Sequence, residues 1–275
     1  MKEIRAYLQG GLGNQCFVYA AARALARRTG CALKFNVDLL LEDRVYRRRL
    51  ALDAFNCALS GATTCSKPVR VFESLRSRLF SHLGVRFGNY LVEKRPFKYS
   101  PFPQDWHGRL ILDGYWQSER YFEDCRGDVL NDFKLKDDSW LREDSLAQRI
   151  EATENSVFLH VRTYREVPGR EDGRCALLML NYYRNALKYL AKRLSDATVF
   201  VFSDDVAFAR QNILTDVTLA GVPFDFVYNT EEGYLRDFML MRLCRHGIVA
   251  DSSFSWWAGW LGEQSHLARG ESALR

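Results

Sequence analysis

No stretch of this 275-residue chain approaches the roughly 18 uninterrupted apolar residues that a helix needs to cross a bilayer. Nothing near the amino terminus reads as a signal peptide, because Met1–Arg5 is charged and the helical pattern that follows carries Arg23, Arg27 and Arg28. A cytoplasmic protein is the expectation. Cysteines 16, 31, 57, 65, 125, 175 and 244 include no CxxC pair and no Cys/His group with zinc spacing, which argues against a zinc site and for reduced thiols in the core. Internal repeats and low-complexity tracts are missing, and with six prolines there is no proline-rich linker. An excess of one charge is missing too: 39 Lys and Arg stand against 34 Asp and Glu. That mild balance disfavours dedicated nucleic-acid binding and leaves anionic small ligands or an anionic membrane surface as partners.

What is present begins with strand, glycine turn, helix, strand. Ile4–Gln9 reads as a strand, and Phe17, Ala20, Ala21, Ala24 and Leu25 then fall on one stripe of a helix that Gly30 ends. Ala32–Asn36 starts a second strand, completing a βαβ unit. Between Asp38 and Pro103 the pattern is vague. Arg44, Arg47–Arg49, Arg70, Arg76, Arg78 and Arg86 form a basic cluster there, either a solvated face or a contact for acceptor or lipid headgroups. Leu110–Phe122 supplies a further strand, a glycine and a dense set of aromatics.

The second half alternates regularly. Ser156–Val161, Thr198–Ser203, Phe224–Tyr228 and Gly247–Ala250 read as strands; Tyr182–Leu194, Val206–Asn212, Tyr234–Cys244 and Ser255–Gly262 read as helices. This predicts a doubly wound parallel sheet with its ligand outside the carboxyl ends of the strands. The domain break is expected in the polar stretch Lys134–Asn155, giving domains 1–145 and 146–275.

Three stretches after these strands carry chemistry. His160 and Arg162 project to the same side of a strand end, where the arginine either forks onto a diphosphate or is a surface residue beside a core histidine. Ser203, Asp204 and Asp205 follow a buried strand; the carboxylates serve ribose or a base edge, or cap the next helix. Their adjacency is not the alternating Asp-x-Asp of a metal–nucleotide bridge, so no metal is expected. Ser252, Ser253 and Ser255 around Phe254 offer hydroxyl and backbone N–H groups to an anion at a helix's positive end. Trp256, Trp257 and Trp260 beyond them are expected in the core.

Taken in order, "GGLGNQ", "GYWQSERYF", "HVR", "FVFSDD" and "DFMLMRLCRHGIVADSSFSWWAGWLG" resemble the bacterial α-1,2-fucosyltransferases of glycosyltransferase family 11, from Gly10 to Gly262. The resemblance implies a GT-B architecture of two Rossmann-like α/β domains facing across a cleft, the carboxyl-terminal one for GDP-fucose and the amino-terminal one for the acceptor. It implies inverting, metal-independent transfer of L-fucose to the 2-hydroxyl of a terminal galactose, on an acceptor that could be lipid-linked. Peripheral contact with the inner membrane face is a further expectation. Arg162 would neutralise the leaving diphosphate, assisted by Ser253, Phe254 and Ser255. His160 would orient that arginine or touch the nucleotide, and Asp204 would read ribose or guanine. Gly10, Gly11 and Gly13 would let the backbone approach the ligand, while Asn14 begins the helix, holding the acceptor hydroxyl or serving as a plain N-cap. The family's usual Arg-Gly-Asp after His-x-Arg is here Thr163, Tyr164 and Arg165, which puts the local loop geometry in question. The polar tail after Leu261 departs from the family pattern, and the sequence leaves open whether it is ordered.

Overall fold

A computed structural model describes residues 2–44, 46–59, 64, 89–214, 224–229 and 233–268. The chain divides into two compact units, Met1–Asp137 and Asp138–Arg275, and the division falls inside the polar Lys134–Asn155 stretch.

The first unit holds strands β1 (Glu3–Tyr7), β2 (Ala32–Asn36), β3 (Tyr90–Val92) and β4 (Arg109–Asp113), all parallel, in the order β2-β1-β4-β3. Helix α1 (Leu12–Thr29) joins β1 to β2 and is buried along most of its length. Its alanines make that possible, because small side chains let the helix lie close to its neighbours without steric cost. Gly30 takes φ +64° and closes the helix, its N–H donating to the Ala26 carbonyl. Helix α2 (Arg126–Asp132) is tied to α1 through Asp132, which accepts from the Tyr19 hydroxyl at 2.8 Å and from Arg23 Nε at 3.0 Å.

In the second unit helix α3 (Ser145–Ala152) leads into β5 (Ser156–Val161), and α4 (Leu180–Ala191) into β6 (Thr198–Ser203). A short α5 (Val206–Phe208) and a π-helical stretch (Ala209–Leu214) precede β7 (Asp225–Tyr228). Helix α6 (Tyr234–Leu243), β8 (His246–Ile248) and α7 (Ser253–Ala268) complete the unit. The sheet is parallel, in the order β7-β6-β5-β8. Within the unit that is the 3-2-1-4 arrangement of a nucleotide-binding half, and its strand order reverses between β5 and β8.

Alternation along β5 builds two cores. Val157, Leu159 and Val161 pack with Tyr183, Leu187 and Leu190 of α4, each fully buried side chain worth roughly 1.5–3 kcal/mol. Phe158 points the other way, and its ring fills the space where a side chain at Gly247 would lie: a Cβ there would come within 2.2 Å of it. Trp257 and Trp260 are completely buried, their rings 5.3 Å apart edge to face, as expected of core residues.

One expectation needs correction, and one point that the sequence leaves open is answered. The helix read over Val206–Asn212 is a single α turn that widens into the π-helical stretch. The polar tail is not disordered as far as Ala268: α7 continues through it, and buried His266 places Nε2 3.1 Å from the Cys244 carbonyl. Cys16, Cys57, Cys125 and Cys244 are buried and form no disulfide among the described residues. Cys65, Arg70, Arg76, Arg78, Arg86 and residues 269–275 lie outside the described residues. Among the described residues no helix is long and apolar enough to cross a membrane.

Candidate functional site

Beyond the carboxyl ends of β5 and β6 several charged side chains meet. Arg162, one residue beyond β5, is held by carboxylates on two sides: it pairs with Asp204 and, through both terminal nitrogens, with Glu166. Its guanidinium carbon lies 4.3 Å from the centroid of the Tyr164 ring. Burial alone would lower its pKa, but the Glu166 and Asp204 carboxylates override that and raise it. A permanent, preoriented cation results.

Asp204 anchors the turn that presents this arginine. Its carboxylate accepts from the Thr163 N–H at 2.7 Å, the Thr163 hydroxyl at 2.8 Å and the Tyr164 N–H at 2.8 Å. In place of the ribose or guanine contact expected for it, Asp204 spends these acceptor sites on the β5 loop. Asp205 caps α5, accepting from the Phe208 N–H at 2.8 Å, and the Ser203 hydroxyl accepts from the Asp205 N–H. Tyr164 adopts φ +60°, a left-handed conformation costly for a bulky residue and free for glycine. That explains the altered triplet physically: a tyrosine takes the glycine-like backbone, and its ring then serves as the floor beneath Arg162. Its hydroxyl donates to the Asp251 carbonyl at 3.1 Å, tying the β5 loop to the β8–α7 turn. Arg165, in the aspartate's place, pairs with Asp205 and donates from Nε to the Glu171 carbonyl.

The serine turn is largely self-satisfied. Ser255 is fully buried; its hydroxyl accepts from the Ala250 N–H at 3.1 Å and donates to the Ser252 carbonyl at 3.4 Å. The Ser252 hydroxyl accepts from the Phe254 N–H at 3.3 Å. Ser252 and Ser255 therefore shape the turn, and the hydroxyl expected from Ser255 on the ligand is used inside the loop. The Phe254 ring packs against His160 at 5.7 Å and Phe238 at 5.3 Å.

His160 is buried beside this ring, and its Nδ1 has no hydrogen-bond partner. Burial, with a smaller contribution from Arg162, pushes its pKa down to about 3, so the imidazole is neutral at ordinary pH. A lowered folded-state value means that the unfolded chain binds the proton first. Stability is then complete above about 6.5 and falls as pH drops from there toward 3. In an NMR titration the His160 ring resonances should stay flat between about pH 5 and 8. An inflection near 6.5 would show an exposed imidazole instead.

The first unit has its own reversal of strand order, between β1 and β4, and Asn14 and Gln117 meet there: Gln117 Nε2 donates to Asn14 Oδ1 at 2.9 Å. Asn14 does not begin the helix or cap it. Gly11 is the N-cap, with no capping side chain, and Asn14 is the third helical residue. The positive φ of the turn belongs to Gly10, at +73°, where an added Cβ would lie 2.5 Å from Asn14 Nδ2. A Cβ at Gly11 would meet only Arg48, at 3.7 Å, and Gly13 is buried within α1. Two functional candidates went unseen in the sequence. Fully buried Gln15 donates to the Gly10 and Arg49 carbonyls at 2.9 and 2.8 Å and accepts from the Ala51 N–H at 2.9 Å, pinning the Arg47–Arg49 segment to the turn. Gln15 was visible beside Asn14, but two of its three partners lie more than thirty residues away. Glu166 carried no signal at all.

The model of Glycosyl transferase family 11 matches residues 90–268. Among curated proteins, the O-antigen biosynthesis glycosyltransferase WbnK of Escherichia coli is 29% identical, covering 92% of this chain and 88% of that protein. An alpha-1,2-colitosyltransferase of Escherichia coli is 28% identical over 95% of this chain and 88% of its own length. The galactoside alpha-(1,2)-fucosyltransferase 2 of Mus musculus is 28% identical over 94% of this chain and 69% of its own length. Among solved structures, the alpha-1,6-fucosyltransferase NodZ co-crystallised with GDP aligns with a TM-score of 0.52 at 18% identity, over 93% of this chain and 91% of that one. At that identity the likeness speaks for the fold, an α/β, GT-B-like pair of Rossmann-like units.

Proposed function

The chain belongs to glycosyltransferase family 11, and on that premise we propose that it transfers L-fucose from GDP-fucose to the 2-hydroxyl of a terminal galactose, with inversion. The observation that carries the reading is Arg162, a fixed cation on an aromatic floor at the strand-order reversal of the second unit. As the glycosidic bond breaks, the diphosphate gains negative charge and the sugar gains oxocarbenium character. A prepositioned guanidinium at the leaving oxygens lowers that barrier without reorganisation. Asp204, Tyr164 and the serine turn position this group. His160, being neutral, shapes the pocket with Phe254 and adds no charge. Asn14 with Gln117 would hold the acceptor hydroxyl on the first unit.

Because Arg162 supplies the countercharge, the reaction is proposed to need no metal. EDTA should leave the initial rate unchanged; complete loss, restored by manganese, would contradict this assignment. The colitosyltransferase relative favours one second reading, a different deoxy sugar in the same chemistry. Competition between GDP-fucose and GDP-colitose as donors, each with a panel of β-galactosides, separates the two.

A further inference from the structure

Helix α4 buries Tyr183, Leu187 and Leu190 against the sheet, and its other face, with the corner before it, gathers four of the nine large hydrophobics exposed among the described residues. At the corner before it Leu178 is 78% exposed and Leu177 39%; along it Tyr182 is 39% and Tyr189 51% exposed. Leu178, Tyr182, Asn185 and Tyr189 follow a four-three-four spacing, which keeps them on one helical stripe. Flanking them are Arg174, Arg184, Lys188, Lys192 and Arg193, and from Gly173 to Leu194 there is no Asp or Glu. The chain as a whole nearly balances its charges, 39 against 34, so a run of this length without a carboxylate is a local feature. Favourable ends for the helix dipole would account for Lys188 and Lys192. They do not account for an exposed leucine and two tyrosines alongside.

We propose that the outer face of α4, with Leu177 and Leu178, is a docking surface for an anionic lipid bilayer. Each part has a role at a headgroup interface. Leu178 enters the acyl boundary, Tyr189 places an apolar ring and a polar tip at headgroup depth, Tyr182 offers the face of its ring, and lysines and arginines meet phosphates. The Arg193 guanidinium stacks 3.5 Å from the Tyr189 ring centroid, and the Tyr182 hydroxyl donates to the Val249 carbonyl at 2.8 Å, so both rings are fixed on the surface. The surface differs from the Arg47–Arg49 cluster considered from sequence, which Gln15 ties to the glycine turn. It stands independently of which sugar is transferred.

The test is flotation of the full chain with vesicles of phosphatidylcholine alone and of equal parts phosphatidylcholine and phosphatidylglycerol. The protein should float only with the anionic vesicles and be released by high salt. Lys188→Glu with Lys192→Glu should weaken partitioning about tenfold or more, and Leu178→Ser should weaken it without changing the salt dependence. The control is Arg142→Glu with Arg149→Glu, the same change in net charge on exposed positions; Arg149 lies on α3, which packs against α6. It should retain most binding. Thermal midpoints and turnover on a soluble acceptor should match wild type in all variants. Equal loss in the control would show a net-charge effect, and no flotation of wild type would show no lipid surface. A patch variant that altered the oligomeric state while keeping vesicle binding would assign the face to a second copy of the chain. Each of these overturns the proposal.

Discussion

Arg162→Ala should abolish sugar transfer and weaken GDP binding by ~1.5–3 kcal/mol, the worth of one charge-assisted contact, or about tenfold to a hundredfold. The loss in turnover should exceed the loss in binding, because the contact strengthens as charge develops on the leaving oxygens. Folding should survive, since Asp204 keeps its bonds to Thr163 and Tyr164. Arg162→Lys should be nearly as poor, because a point charge cannot replace the planar fork or stack as well on Tyr164. Glu166→Gln should act in the opposite direction. Of the two carboxylates on the guanidinium, Asp204 is anchored by the backbone, whereas the Glu166 side chain is 48% exposed and, among the described residues, pairs with Arg162 alone. A diphosphate arriving at Arg162 must displace it, so removing its charge should tighten GDP binding. Calorimetry on the three variants decides. Wild-type turnover in folded Arg162→Ala would overturn the leaving-group role, and unchanged GDP affinity in Glu166→Gln would show that Glu166 does not compete.

Asn14→Ala should lower transfer to galactosides severely while leaving GDP affinity intact. Since Asn14 is no cap, the roughly 1 kcal/mol expected on losing a capping side chain should not appear in the thermal midpoint. Gln117→Ala should mimic it more weakly, by removing one of the bonds that hold the Asn14 amide. Gly10→Ala should be harmful in a different way: the left-handed backbone costs about 1–2 kcal/mol, and the added methyl would push on the Asn14 amide. Stability and rate should therefore fall together there, and rate alone at Asn14. Initial rates per folded molecule, GDP affinity and thermal midpoints for the three variants test this. Wild-type rates throughout would mean that the turn only shapes the start of α1.

Much of the second unit could be read in advance because its strands are short β-branched and aromatic runs between helical periods. Ser156–Val161 and Thr198–Ser203 form strands over the expected residues, and βαβ alternation leaves few topologies to choose from. The positions of Arg162 and the serine turn at strand ends follow from the same alternation. What the sequence did not announce is where contact, not period, sets the role. Asp204 follows a strand as a ligand residue would, and it also anchors the turn at Thr163 and Tyr164. Glu166 pairs with Arg162 across a loop in which Tyr164 takes a left-handed backbone, and no propensity of tyrosine announces that turn. Gln15 reaches segments distant in sequence, and Asn14 lay two residues further into the helix than the glycines suggested.

The most direct measurement is linkage analysis of the product formed from GDP-fucose and a panel of β-galactosides by the purified chain. The account predicts fucose joined α-1,2 to the terminal galactose, with GDP released in equal amount and the anomeric configuration inverted. GDP binding without transfer or donor turnover would show a binding module, and fucose on any other hydroxyl would contradict the acceptor assignment.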